Sequence, residues 1–203
     1  MKTININALE KDIVATVETL REESIALLSE LVSHASLLGE EQSAQDVMKR
    51  VFADDLELEV KALTIDEDLI KDHPGYSPSL VCYDGRVNVV GTHRPSVVQG
   101  KSIIFNGHID VVPVGDERLW TQPPFQPWVD GDKLFGRGAS DMKAGIVSYI
   151  MAFKALKRLG YEPAAKVILQ SVIEEECTGN GALACLVAGH TADAASLPSR
   201  QRA

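Results

Sequence analysis

Two apolar runs that end in polar, ligand-type residues, with one long amphipathic pattern between them, constrain this chain more than any other feature. Lys101-Ser102-Ile103-Ile104-Phe105-Asn106 is rich in β-branched residues and leads into Gly107-His108-Ile109-Asp110. Val167-Ile168-Leu169 and Val172-Ile173 form a second run, which leads into Glu174-Glu175-Glu176. Between them, from Met142 onward, Ile146, Val147, Ile150, Phe153, Leu156 and Leu159 recur at helical steps until Gly160 ends the pattern. Strands alternating with helices argue for an α/β sheet with helices on both faces.

The rest of the chain fits that scheme. Leu9, Ile13, Val17, Leu20, Leu27, Leu28 and Leu31 predict a helix that ends near Ser36-Leu37-Leu38-Gly39. A second helix is expected over Glu41 to Ala53, presenting Val47, Val51 and Phe52. Leu56-Glu57-Leu58-Glu59-Val60 alternates strictly and predicts a half-buried strand. Residues 66 to 80 are polar with two prolines and read as loop. Asp84-Gly85 is a turn signal before a short strand, Val87-Asn88-Val89-Val90. Residues 113 to 138, rich in Pro, Gly and Trp, read as a functional loop. Gly179-Asn180-Gly181 opens a short helix to about Ala188. No internal repeat and no dividing linker is evident, so one domain is expected.

Composition excludes several classes. The 203 residues are 45% hydrophobic, enough for one substantial core. Asp plus Glu outnumber Lys plus Arg by 29 to 20, a formal charge of −9 that repels phosphate backbones and argues against nucleic-acid binding. No apolar stretch is long enough to cross a bilayer. Met1-Lys2-Thr3-Ile4-Asn5 leads into charged sequence, so no signal peptide is expected. Cys82, Cys177 and Cys185 form no disulfide framework, and reduced thiols in the cytoplasm are the simplest expectation.

Three clusters carry chemistry, at the strand ends where ligands gather in open α/β sheets. In the first, period two puts His108 and Asp110 on one side, and Asp110 can accept the second N–H of a ligating imidazole. In the second, Gly136-Arg137-Gly138-Ala139-Ser140-Asp141-Met142-Lys143, the glycines permit a sharp turn and Asp141 stands at the start of a helix. In the third, adjacent carboxylates on an apolar strand need a cationic partner. Each has a bland alternative: a core histidine, an Asp N-cap, a solvated charge run. Together they offer a borderline N/O ligand set that suits zinc, with cobalt or manganese as substitutes.

The combination resembles the acetylornithine deacetylase, succinyl-diaminopimelate desuccinylase and carboxypeptidase G family of zinc metallohydrolases. Asn106-Gly107-His108-Ile109-Asp110-Val111-Val112-Pro113 is similar to its first metal motif and Gly136 to Lys143 to its second. Glu174-Glu175-Glu176 with Gly181-Ala182 is similar to its third. Leu119-Trp120-Thr121 and Pro124-Phe125 fit the deacylase branch. The resemblance runs from about residue 20 to residue 198.

It implies a phosphorylase/hydrolase-like zinc exopeptidase sheet that hydrolyses the amide bond of small N-acyl amino acids, with di- or carboxypeptidase activity as the alternative. It also implies two zinc ions per complete site and a homodimer for the full-length protein. By the same resemblance His108 binds one zinc, Asp141 bridges both and is followed by a cis peptide bond, and Glu176 binds the other. Glu175 is the general base and Asp110 orients His108.

The pattern departs from the family toward the C-terminus. Where a carboxylate ligand is expected in a Pro-Glu-Pro-like turn, aligning Ala192-Asp193-Ala194-Ala195 puts Ser199 in its place. His190 comes too early to be the family's late histidine ligand, and no lid domain follows. The expectation is a catalytic sheet incomplete at the C-terminus, residues 1–203 forming the N-terminal part of a truncated deacylase, with a non-catalytic remnant as the competing reading.

Overall fold

The computed structural model describes residues 6–198; the aligned Ser199 and the tail to Ala203 lie outside the described residues. The chain opens with α1 (Ile6–Thr19) and α2 (Arg21–Ser33). It continues with α3 (Gln42–Arg50), a wider turn over Val51–Asp55, β1 (Glu59–Thr64) and α4 (Glu67–Ile70). Then come β2 (Val87–His93), β3 (Ile103–His108) and a hairpin of β4 (Trp128–Asp130) and β5 (Lys133–Phe135). The last elements are α5 (Ala144–Arg158), β6 (Val167–Val172), α6 (Asn180–Val187) and β7 (Ala194–Ser196).

The sheet order is β1-β2-β6-β3-β7. β6 is its centre, antiparallel to β2 and parallel to β3, and all six of its residues are buried. That explains why Val167 to Ile173 reads as a continuous apolar run and not as an alternation. One face of the sheet carries the main core, in which Phe52, Val89, Leu169, Ile146 and Ile150 from the wider turn after α3, from α5 and from the strands pack together. The other face packs Val90, Ile104, Ile168 and Val172 against Cys185 of α6. Helices therefore cover both faces. Gly107 lets α5 lie close on β3, because a Cβ there would sit 2.7 Å from Ile146 Cγ1.

Four local readings change. The helix over Leu9 to Leu31 is two helices, broken at Leu20, which is fully buried with φ −91° and ψ 1°. The break lets both segments lie against α5, a choice that periodicity does not encode. The alternation at Leu56 to Val60 is not the strand: Leu56 and Leu58 are buried on the approach, Glu57 is left-handed at φ +56°, and β1 begins at Glu59. Residues 66–80 contain α4, whose Asp66 carboxylate accepts the Asp68 N–H at 3.0 Å and so caps it. Residues 113–138 contain the β4–β5 hairpin, held by Trp128 stacked on Phe135 at 4.3 Å. Its strands are too short to show a period. Cys82, Cys177 and Cys185 are free. Among the described residues no helix is long and apolar enough to cross a membrane.

Candidate metal centre

Register brings the first and third clusters together. β3 and β6 run parallel with His108 opposite Val172, so their carboxyl ends finish level. His108 is the last residue of β3, and Glu174 to Glu176 turn away just past β6. The second cluster arrives from the loop before α5. There Gly138 turns the chain at φ +79°, and a Cβ at that position would meet Val111 Cγ1 at 2.4 Å. Asp141 follows with φ −126° and ψ 103°, and the Asp141–Met142 peptide bond is cis.

His108, Asp141 and Glu176 each offer a ligand atom, and those atoms lie within 4.8 Å of one another. His108 Nε2 is 3.3 Å from Asp141 Oδ1 and 3.6 Å from Glu175 Oε2. Its Nδ1 is 3.0 Å from the main-chain oxygen of Asp110. A carbonyl only accepts, so Nδ1 carries the hydrogen, and Nε2 is the ring nitrogen turned toward the carboxylates and free to ligate a cation as a neutral imidazole. The donor set fits a borderline divalent ion such as zinc.

The electrostatics point the same way. Burial raises the Glu176 carboxyl above the usual carboxylate range; His108 opposes this, while Asp141, Asp110 and Glu175 add to it. Burial likewise raises Asp110, against the pull of His108 and of backbone N–H groups, its own and two from the acidic turn. The latter two belong to Glu175 and Glu176 and reach the Asp110 carboxylate at 3.2 and 3.1 Å. Asp110 thus faces His108 mainly through its carbonyl, its carboxylate lying 3.7 Å from Nδ1, while that carboxylate holds the main chain of the acidic turn. Asp141 and Glu175 are open to solvent, with side chains 69% and 53% exposed, whereas His108 is buried.

Sequence reasoning missed two features. Glu174 is not a solvated charge but a fully buried one, paired with Arg86 at 3.1 Å. Lys143 is fully buried behind the site, donating to the carbonyls of Leu31 at 2.8 Å and His34 at 3.0 Å, where it closes the C-terminal end of α2. Burial lowers its ammonium to about 7, against the pull of Asp110. The available signal was a lysine at the mouth of an otherwise apolar helix. Lys143→Met keeps the apolar stem and leaves the carbonyls without their donor. The expected cost is ~1–3 kcal/mol of folding stability, read as a lower urea midpoint; an unchanged midpoint would show the contacts to be unimportant. A cavity of about 720 Å³ lies between α1, α2, α5 and the hairpin; Ala139 and Ser140 of the second cluster line it, but His108, Asp141, Glu175 and Glu176 do not.

Residues 104–197 match the description Peptidase family M20/M25/M40. This stretch, which holds all three clusters, belongs to that family. The chain is 30% identical over 187 residues to N-formyl-4-amino-5-aminomethyl-2-methylpyrimidine deformylase of Halalkalibacterium halodurans, covering 91% of the chain and 40% of that protein. It is 39% identical over 92 residues to succinyl-diaminopimelate desuccinylase of Alkalilimnicola ehrlichii, covering 45% of the chain and 24% of that protein. The chain spans less than half the length of the curated relatives it matches. Among solved structures, a tripeptidase from Staphylococcus aureus superposes with TM-score 0.64 at 23% identity, covering 89% of this chain and 44% of that one. A Bacillus subtilis protein described as a dinuclear metal binding peptidase gives 0.54 at 20%, covering 85% and 40%. At these identities the likeness is one of fold.

Proposed function

We propose that this chain carries the cation-binding and proton-transferring part of a hydrolase that cleaves the amide bond of a small N-acylated molecule. The observation behind this reading is the convergence of His108, Asp141 and Glu176 with Glu175 beside them. His108 through Nε2, and Asp141 and Glu176 through their carboxylates, would hold a divalent cation, zinc first and cobalt as a substitute. In a complete site with two ions Asp141 would bridge them. The chemistry supplied by a bound cation is polarisation of the scissile carbonyl and acidification of water. Glu175 takes the proton of the attacking water and returns it to the leaving nitrogen. Its exposure leaves it open to substrate. Asp110 keeps the imidazole and the acidic turn in a fixed relation.

The matched relatives are named for removing a formyl and a succinyl group. Both reactions part a short acyl group from an amine. A short-chain N-acyl amine, N-acyl amino acids included, is therefore the substrate class we assign. A second reading, a cation-binding chain without turnover, is favoured by the ligand inventory: the described residues gather one group of three ligands.

The test assays the dialysed, zinc-loaded chain against an N-formyl aminomethylpyrimidine, N-succinyl-diaminopimelate, N-acetylornithine and a dipeptide, with metal analysis. At most one tightly held zinc per chain and hydrolysis of one acyl amine are expected. Two tightly held zincs would overturn the ligand inventory. Binding without hydrolysis would favour the second reading, and a folded chain that binds no cation would sink both.

A further inference from the structure

One buried cluster has no part in the reading above. Arg86 grips Glu41 with two bonds, Nη2 to Oε1 at 2.5 Å and Nε to Oε2 at 3.1 Å, and donates Nη1 to Glu174 Oε1 at 3.1 Å. The other Glu174 oxygen accepts from the Tyr83 hydroxyl and, at 2.9 Å, from Thr178. All three charged side chains are buried, Glu174 completely. Two carboxylates and one guanidinium leave the cluster with a net negative charge. Buried ion pairs are weak stabilisers, since apolar residues of similar volume often replace them without loss. Their strength is in holding geometry, and Arg with its planar fork holds it best.

What this cluster holds is the acidic turn. Glu174 sits at φ +65°, a conformation that non-glycine residues rarely adopt and that needs surrounding structure to maintain it. Its side chain is anchored by Arg86, and its carbonyl accepts the N–H groups of Thr178 at 3.0 Å and Gly179 at 2.9 Å. The next two N–H groups, of Glu175 and Glu176, go to Asp110. Three successive residues are therefore fixed through Glu174 on one side and Asp110 on the other. The clamp uses main chain and the Glu174 side chain, and it leaves the carboxylates of Glu175 and Glu176 to face His108.

We propose that Arg86, oriented by Glu41, is a positioning residue that acts through Glu174 to set the direction of Glu175 and Glu176. The proposal rests on the reading of His108, Asp141 and Glu176 as cation ligands. Its consequence is that the cluster tunes cation affinity and ligand geometry without touching the cation.

The experiment uses the full chain with Arg86→Lys, Arg86→Met and the nearly isosteric Glu174→Gln, with His108→Ala as control. Three quantities are read: the urea midpoint of the metal-free protein, zinc affinity by chelator competition, and the visible spectrum of the cobalt-loaded protein. Glu174→Gln and Arg86→Met should each lower zinc affinity by about 10- to 100-fold, the range usual for residues that orient ligands, and change the cobalt spectrum. Arg86→Lys should recover part of both. Affinities are compared under conditions where every variant is folded, so lost stability does not register as lost affinity. If Arg86→Met does not fold, Glu174→Gln decides alone. Wild-type affinity and spectrum in a folded Glu174→Gln protein overturn the positioning role, provided His108→Ala still loses zinc. If His108→Ala also keeps zinc, the ligand assignment falls and this proposal falls with it.

Discussion

Zinc affinity is expected to collapse when His108 is replaced by alanine, by more than the 10- to 100-fold typical of residues that only orient ligands. His108 would supply the one nitrogen of the cluster, and it is buried and held by Asp110 with Nε2 toward the carboxylates. Alanine removes that donor and leaves Asp141, Glu175 and Glu176 as like charges around a gap. Glu176→Gln should act in the same direction, because an amide is a poor substitute for a ligating carboxylate. Isothermal titration with zinc, checked against the urea midpoint, measures both. Affinity within about threefold of wild type for His108→Ala would move the cation elsewhere; threefold corresponds to only ~0.7 kcal/mol, half of the 1.4 kcal/mol for a factor of ten.

The second large effect is expected at Glu175. Its replacement by glutamine should lower turnover of an N-acyl amine by about 100- to 10,000-fold, the usual contribution of a positioned general base, while zinc content stays near wild type. The separation follows from the placement of the two neighbouring carboxylates. Glu176 belongs to the group whose ligand atoms converge with His108 and Asp141, and Glu175 stands 3.6 Å from the imidazole with its side chain half exposed. Steady-state hydrolysis and metal analysis on the same preparation decide the matter. Loss of zinc in Glu175→Gln, or full turnover, would reverse the assignment.

Much of the sheet could be read directly from the residues. The run at Val167 to Ile173 and the run ending at His108 announce buried strands by composition alone, and the pattern from Ile146 to Leu159 announces the helix between them. The approach of His108, Asp141 and Glu176 was suggested by ligand-type residues at strand ends and at the start of a helix. What could not be read depends on partners distant along the chain. Lys143 meets Leu31 across 112 positions, Arg86 meets Glu174 across 88, and neither pairing leaves a local pattern. For the same reason an acidic triplet does not reveal that its first member is buried and its second open. Strand direction is likewise a tertiary property: β2 and β3 flank β6 with opposite polarity, yet both look alike as apolar runs. The misplaced start of β1 shows that buried leucines on an irregular approach can imitate alternation.

The excursion between His108 and Asp141 has a consequence for how chains of this kind can vary in length. Both of its ends are tied to the centre, yet its middle is the β4–β5 hairpin, whose tip has Gly131 at φ +57°, where an added side-chain carbon would meet nothing within 4 Å. One exposed ion pair, Arg21 with Asp132 at 2.8 Å, joins that tip to α2. Residues could be added or removed at the tip without moving a single ligand atom, because loop closure grows costlier only slowly with length. The acidic turn offers no such freedom. An extra residue between Val172 and Glu176 would rotate one carboxylate into the place of another and exchange their tasks. Length variation among descendants of this chain should therefore concentrate at the hairpin, while the stretch from β6 into α6 keeps its spacing residue for residue.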